Sequence, residues 1–384
     1  MFKNILHRNS TPINVLQEIL LLIFVTFCAM AVFSLIGLKL TSLFFNIDVI
    51  SLGSTDYVSM DNNMVNALKF INLITTLGTF LVPAFVMPLI LRRNAVEYLT
   101  LKRPVEWKLF IYMTVLFAVL YPFLDWTLSM NQSIHFPSFM KEIEKSMRAQ
   151  EDTMEVLTTR FMQMGNVKDL FINLIVIAFL PAFIEELFFR GLLQTLIHKW
   201  LKNIHITIII TAIFFSAIHM EFFGIIPRTI LGLILGYLFY WSGSIWSSIF
   251  FHFLNNASAV ILVFLSQQNL INYKIDEPMN SSNIVLVLSL GITALIFLYL
   301  ANRYSKKRDK KDDWVKVYES QSISDAEIVK GNIEENEIDA VIMNKKDSSI
   351  QTFGQVEVYV KPDDEQAALK IISEQIVTEE NETE

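Results

Sequence analysis

Two adjacent carboxylates, Glu185 and Glu186, lie in the middle of the apolar segment LIVIAFLPAFIEELFFRGLLQTL. A charged side chain in a membrane-length helix costs roughly 2.5–3.5 kcal/mol to insert, so it is retained when it is paired or functional. Glu186 and Arg190 are four residues apart and can form an ion pair on one helix face. Glu185 points about 100° round the helix axis from Glu186 and can face a cavity. A desolvated carboxylate is suited to general acid–base catalysis. An ion pair that only joins two helices is the alternative.

Imidazole and amide groups occur in two further apolar segments. His219 follows Phe215 by four residues, and His252 precedes Asn256 by four. A lone His in an apolar helix is more often a packing residue, but a second His and an Asn on another helix favour a site. His219 can orient a water or bind a metal, while His252 and Asn256 can donate hydrogen bonds to an oxyanion. Glu185, His219 and His252 can also hold zinc with one open position.

The expected depths of these groups in the membrane agree. Measured at 1.5 Å per residue from the expected cytoplasmic ends of their helices, Glu186 and His219 lie about 20 and 21 Å deep. On the same scale His252 lies about 12 Å and Asn256 about 18 Å deep. The three helices can therefore bring their polar groups to one level. Water activated by a glutamate, with or without zinc, fits these residue types best.

The helices that must position these groups are evident from composition. The chain has 384 residues, 53% hydrophobic and 18% charged, with a mean hydropathy of +0.44. Soluble proteins carry about 25% charged residues. The single cysteine excludes a disulfide framework. The sequence also has no sustained basic patch of the kind that binds nucleic acid. We expect an all-α polytopic membrane protein of about eight transmembrane helices. The apolar runs are 15–44, 64–91, 107–130, 167–198, 205–223, 225–241, 244–266 and 283–301.

Charged residues in the loops predict the topology. Lys and Arg are concentrated at the N-terminus, in the loop after the second run and in RYSKKRDKK after the last run. Acidic residues predominate in the loops at 45–63 and 267–282. The positive-inside rule then places both termini in the cytoplasm, in a bacterial inner membrane. The loop at 131–166 carries both signs, and we expect a surface helix outside.

The composition of the chain changes after the last apolar run and divides the chain into regions. From residue 302 onward there are 12 Lys and Arg against 20 Asp and Glu, a net charge of −8 within a total of −7. The order of apolar patterns there is β-α-β-β-α, typical of a small α+β, ferredoxin-like soluble domain. The predicted regions are N-terminal helices with an external loop (1–164), a membrane core (165–301), a basic linker (302–312), the soluble domain (313–375) and a disordered acidic tail (376–384).

Three motifs resemble those of a known family. EELFFRG (185–191), FSAIH (215–219) and HFLNN (252–256) are similar to the EExxxR, FxxxH and HxxxN motifs of the CPBP family of intramembrane peptidases. This family includes CAAX prenyl proteases and bacteriocin-processing or immunity proteins, described both as metalloproteases and as glutamate-dependent peptidases. The resemblance implies an endopeptidase site made by Glu185, Glu186, His219, His252 and Asn256, supported by Arg190 and Phe215.

The resemblance implies a peptide or membrane-protein substrate, cleaved in CAAX-type or bacteriocin-leader-type processing. Two other functions fit the residues: a non-catalytic immunity or scaffold protein, and a proton-coupled transporter that uses the buried glutamates. The segment 313–375 is similar to a small prokaryotic signal-transducing domain. Its ligand is not implied, and it can be a sensor or a protein-binding module.

Overall fold

The computed structural model consists of two units, Met1–Leu298 and Tyr299–Glu384. It describes residues 14–48, 57–58, 60–273, 282–312, 314–344, 356–361 and 364–381. The basic N-terminus and the acidic residues Asp276 and Glu277, which entered the topology prediction, lie outside the described residues.

The first unit is helical throughout its described part. In chain order its helices are α1 (Val15–Phe45), α2 (Asn62–Ile90), α3 (Ala95–Tyr98), α4 (Trp107–Gln132), α5 (Lys141–Phe161), α6 (Val167–Leu201), α7 (Ile204–Ala217), α8 (Ile225–Ser242), α9 (Ile245–Gln267) and α10 (Asn283–Asp312). Seven spans in the described residues are long and apolar enough to cross a membrane: α1, α2, α4, α6, α8 with its preceding turn, α9 and Asn283–Tyr304 of α10. A mostly helical membrane protein is therefore confirmed.

The expected eighth span is a shorter helix. The predicted run at 205–223 contains α7, which has 14 residues and ends at Ala217. At 1.5 Å per residue α7 is about 21 Å long, less than the roughly 30 Å of a hydrocarbon layer. The chain then turns through Met220, whose φ of 55° is left-handed, and a 3₁₀ turn at Phe222–Gly224 leads into α8. His219 consequently lies just past a helix end.

Polar residues mark the beginnings of the membrane helices. Asn14, Asp61, Asn166 and Asn203 precede α1, α2, α6 and α7, and each side chain accepts a hydrogen bond from a backbone N–H of the first turn. Such caps satisfy N–H groups that have no partner within the helix. Gly243, with φ of 66°, makes the left-handed turn between α8 and α9. These signals fix where the apolar segments start and stop.

Helices α7 and α8 pack closely along small residues. A Cβ on Gly232 would lie 3.0 Å from Cβ of Ala212, and one on Gly236 would lie 2.7 Å from Cγ2 of Ile208. The spacing of Gly232 and Gly236 predicted such close packing, as small-xxx-small patterns do in membranes. The backbone of α8 can therefore approach its neighbours, which exposes its carbonyl groups to them.

The surface helix expected in the 131–166 loop is α5. The carboxylate of Glu144 in α5 accepts hydrogen bonds from the N–H of Phe136 at 2.8 Å, from Nδ1 of His135 at 2.9 Å and from Nε of Arg148 at 2.9 Å. These hydrogen bonds, the Phe136 N–H foremost, lower the pKa of Glu144 to about 2. The segment that joins α4 to α5 is therefore tied to α5 by one carboxylate.

The second unit has the predicted β-α-β-β-α order. Its elements are β1 (Val315–Ser320), α11 (Ile323–Glu335), β2 (Ala340–Asn344), β3 (Val356–Val360) and α12 (Glu365–Asn381). The sheet order is β1-β3-β2, with both neighbours antiparallel to β3. This is a split β-α-β arrangement, as in ferredoxin-like folds. Its core contains Val356, Val358 and Val360. Helix α12 continues to Asn381, past residue 375 where we expected disorder to begin.

Candidate active site

The helix that carries both glutamates is irregular. Within α6, Leu174–Phe179 and Leu187–Gln194 are π-helical, and the α-helical piece Leu180–Glu186 lies between them. Glu185 and Glu186 end this piece, and Pro181 lies just after the first π-helical piece, where its missing N–H interrupts the α-helical hydrogen bonds inside α6. π-Helical turns are frequent at functional sites because they rotate the following side chains.

Glu186, Arg190 and His252 form a buried cluster. Oε1 of Glu186 accepts hydrogen bonds from Nη1 of Arg190 at 2.6 Å and from Nδ1 of His252 at 2.9 Å. The Glu186 and Arg190 side chains are fully buried. Nη2 of Arg190 also donates to the carbonyl of Gly232 at 3.2 Å. The ion pair expected from the four-residue spacing is therefore confirmed, and it is joined to α8 and α9.

Glu185 has different surroundings. It is half-buried, and its Oε2 atom is buried without a hydrogen bond. Arg190 interacts electrostatically with it as well as with Glu186. A buried carboxylate oxygen with no partner has an unmet demand for a hydrogen bond. Oε2 of Glu186 has the same unmet demand, but Glu186 is fully buried and its Oε1 is bonded. The half-buried Glu185 is thus the more accessible carboxylate of the pair.

Phe215 packs among the charged and imidazole groups. Its ring centroid lies 4.6 Å from the Arg190 guanidinium, 5.2 Å from the His219 ring and 5.6 Å from the His252 ring. Nδ1 of His219 is 2.8 Å from the Phe215 carbonyl oxygen. A carbonyl only accepts, so Nδ1 carries the proton and a neutral ring leaves Nε2 as an acceptor. That acceptor is suited to orienting a water.

Both side chains of the expected oxyanion site, His252 and Asn256, lie on α9. Because His252 gives its Nδ1 hydrogen to Glu186, its Nε2 carries a hydrogen only when the ring is doubly protonated. Asn256 is half-buried one turn further along, and its Oδ1 accepts from Nδ2 of Asn255 at 3.2 Å. The amide of Asn256 is therefore the better oxyanion donor of the two.

The residues do not fit a zinc ion. No group of three His, Cys, Asp or Glu side chains that could hold a metal occurs in the part of the chain that the structure describes, which includes Glu185, His219 and His252. Nδ1 of each His is bonded within the protein, so only the two Nε2 atoms are available as imidazole ligands.

Gln194 is a buried polar residue that the motifs did not reveal. It is fully buried, and its Nε2 donates to the carbonyl of Gly236 at 3.3 Å, one turn along from the Arg190–Gly232 bond. The signal was present in the spacing: Glu186, Arg190 and Gln194 repeat every four residues. A ladder of polar side chains on α6 thus meets exposed carbonyls on α8.

A cavity of about 110 Å³ lies between α2 and α6. Lys69, Asn72 and Thr76 line it from α2, and Pro181 and Ile184 line it from α6. Ile184 immediately precedes Glu185 in α6, but neither glutamate lines the cavity. Its polar wall inside an apolar span was also missed, because Lys69, Asn72 and Thr76 are unremarkable as single residues.

Fold and cluster together define a multi-pass membrane protein with a buried carboxylate, guanidinium and imidazole site. Residues 167–258 match the family model Rce1-like, described as "Type II CAAX prenyl endopeptidase Rce1-like". This segment of the membrane unit is thus similar to a CAAX-type protease family, and the resemblance found in the three motifs is confirmed. Residues 314–375 match the model DUF2007, described as "Putative prokaryotic signal transducing protein". No curated protein and no solved structure matches the chain.

Proposed function

We propose that this protein is an intramembrane endopeptidase that hydrolyses a peptide bond with water activated by Glu185. The observation that carries the proposal is the difference between the two carboxylates. Both carboxylates have a buried Oε2 without a hydrogen bond, but Glu186 is fully buried and its Oε1 is bonded to Arg190 and His252, whereas Glu185 is only half-buried. A base needs a free oxygen within reach of the proton that it abstracts.

In the proposed reaction, Glu185 takes one proton from a water. The other O–H of that water donates a hydrogen bond to Nε2 of His219. The water oxygen attacks the scissile carbonyl carbon and forms a tetrahedral oxyanion, which the Asn256 amide stabilises. Glu185 then gives its proton to the leaving nitrogen as the C–N bond breaks. The products are a carboxylic acid and an amine, and the carboxylate of Glu185 is regenerated.

Glu186 and Arg190 have a supporting role in this proposal. Their ion pair holds His252, keeps the Phe215 ring in place through the guanidinium and adds positive charge beside Glu185. Electrostatic groups fixed before the reaction cost no reorganisation during it. A doubly protonated His252 would add a second donor for the oxyanion.

The substrate is proposed to be a peptide or a membrane protein, processed in a CAAX-type or bacteriocin-leader-type reaction. The polar wall formed by Lys69, Asn72 and Thr76 beside Ile184 supports an approach through the cavity, because backbone groups in a membrane need hydrogen-bond partners. We place the chain in a bacterial inner membrane with both termini cytoplasmic, which requires that the short helix α7 crosses the membrane as an eighth span. The second unit is proposed to bind an unidentified ligand or protein.

Cleavage of a library of membrane peptides by the full chain in vesicles tests the proposal. Glu185→Gln should lower kcat by about 10²–10⁴-fold, the usual contribution of a general acid–base. Glu18→Gln is the matched control, because Glu18 is another buried membrane carboxylate and pairs with Lys199. A zinc chelator should leave the rate unchanged. Equal activity of wild type and Glu185→Gln would exclude the mechanism, and loss on chelation that zinc restores would replace it with metal catalysis.

A further inference from the structure

The turn that carries His219 has little regular structure of its own. α7 ends at Ala217, Met220 is left-handed, and the 3₁₀ turn Phe222–Gly224 has three residues. An imidazole must be held within a fraction of an ångström to orient a water, and loops alone are less precise than helices. The positions of the backbone in this turn therefore depend on contacts from other elements.

Asn131, near the end of α4, binds both sides of the 3₁₀ turn. Its side chain is fully buried. Nδ2 donates to the carbonyl of Phe222 at 3.2 Å, and Oδ1 accepts from the N–H of Ile226 at 2.8 Å. Ile226 is in the first turn of α8, where N–H groups have no partner within the helix. One amide thus bonds the first residue of the 3₁₀ turn and the first turn of α8.

Helix α5 holds the same turn from outside the membrane spans. Arg148 donates to the carbonyls of Gln132 and Ile134, next to Asn131, and its guanidinium stacks 3.8 Å from the Phe223 ring centroid. Glu151 accepts from the N–H of Phe223 at 3.0 Å. The end of α4 and the turn after His219 are therefore joined through one network.

We propose that Asn131 is a positioning residue for His219. By bonding Phe222 and Ile226 it fixes the turn in which His219 stands, and hence the direction of Nε2 toward the water that Glu185 activates. This inference rests on the proposed peptidase function. Asn131 touches neither the substrate nor the reacting atoms, and it acts through the backbone of the turn.

The test uses the full chain in vesicles and compares Asn131→Asp with Asn131→Ala. Aspartate keeps the acceptor for Ile226 but replaces the donor to Phe222 by an oxygen. Both variants should lower kcat about 100-fold, as small misplacements of a reacting group do, with KM nearly unchanged. Thr127→Val is the matched control: Thr127 is buried one turn earlier on α4 and bonds only the carbonyl of Leu124 in its own helix. It should keep wild-type kcat.

A second measurement follows His219 directly. Diethyl pyrocarbonate acylates an unprotonated imidazole nitrogen, and mass spectrometry gives the rate at His219 relative to exposed His205 as a function of pH. We expect the Asn131 variants to change this ratio and Thr127→Val to leave it unchanged. If Asn131→Asp does not fold, Glu151→Ala removes the acceptor for Phe223 and should alter kcat and the ratio in the same direction.

Two results overturn the inference. One is that the Asn131 variants keep the wild-type acylation ratio of His219 to His205 and its pH profile. The other is that the smaller fraction of folded protein accounts for the whole fall in their activity. An active wild type that depends on Glu185 and His219 but not on Asn131 would refute this inference alone. An inactive wild type would refute the proposed function, while the acylation ratio would still decide whether Asn131 holds His219.

Discussion

Two neighbouring glutamates differ in their hydrogen bonds because they point from α6 in different directions. The spacing of Glu186 and Arg190 was enough to predict their ion pair, since residues four apart share a helix face. It was not enough to predict that His252, 66 residues away in sequence, bonds the same oxygen. Nor could it show that Oε2 of Glu185 has no partner. Such facts depend on packing between helices.

At the scale of residues, Glu186→Gln should destabilise the membrane unit more than Glu185→Gln. Removing Glu186 leaves the fully buried Arg190 without its carboxylate, and breaking a buried pair costs about 3–5 kcal/mol. Glu185→Gln should change the free energy of unfolding by less than about 1 kcal/mol, because the half-buried carboxylate has no hydrogen bond at Oε2 to lose. Unfolding of both variants in detergent measures this difference. Equal losses would mean that Glu186 and Arg190 are not a stabilising pair.

Among the elements, the apolar runs predicted most helices but not their irregularities. The run 205–223 is apolar to its end, so a full span was expected, yet α7 stops at Ala217. The π-helical pieces of α6 also have no sequence signature, because a shift from one backbone acceptor to the next depends on tertiary contacts. The close packing at Gly232 and Gly236 was predictable because only glycine lets two backbones approach there.

Gly236→Ala should lower the stability of the α7–α8 pair. Its Cβ would lie 2.7 Å from Cγ2 of Ile208, and overpacking of this kind costs about 1–3 kcal/mol. Gly291→Ala in α10 is the control, because a Cβ there meets nothing within 4 Å. The melting temperatures of the two variants in detergent should differ, with Gly291→Ala at or above wild type. A melting temperature of Gly236→Ala equal to that of wild type would contradict the packing.

The segment between α4 and α5 should loosen in acid. The pKa of Glu144 is lowered from 4.5 to about 2, so its bonds stabilise the folded segment fully above about pH 4.5. That contribution declines below pH 4.5 and is lost as the pH falls through about 2. Hydrogen-exchange protection of residues 133–148, corrected for intrinsic rates, should fall over this window. Glu144→Gln should be less protected at pH 7 and show no such dependence; a matching decline in this variant would contradict the assignment.

For the whole molecule, the two units were predictable because their compositions differ so sharply. Charge and strand-like alternation begin after the last apolar run, and the β-α-β-β-α order follows from them. The sheet order β1-β3-β2 agrees with the predicted ferredoxin-like arrangement, but the register of the strand pairs did not follow, because it depends on pairing between distant segments. The end of α12 at Asn381 was also unexpected, since acidic composition alone suggested disorder.

The second unit should fold without the membrane unit. It has its own buried cluster, which includes Ala326, Ile333, Val358 and Ala368. A fragment of residues 314–384 should be soluble, and it should unfold in one cooperative transition when urea is added, as small domains do. Circular dichroism and fluorescence of Trp314 should give the same midpoint. A gradual, non-cooperative loss of signal would show that this unit needs the rest of the chain.

In the proposed reaction, water activated by Glu185 attacks the peptide bond directly. The most direct measurement is a single turnover in H₂¹⁸O, with excess enzyme in vesicles and mass spectrometry of both product and protein. We predict one ¹⁸O atom in the new carboxylate of the product and none in the Glu185 or Glu186 side chains. Label in either glutamate, with an unlabelled product, would contradict the account, because it would show a covalent acyl-enzyme.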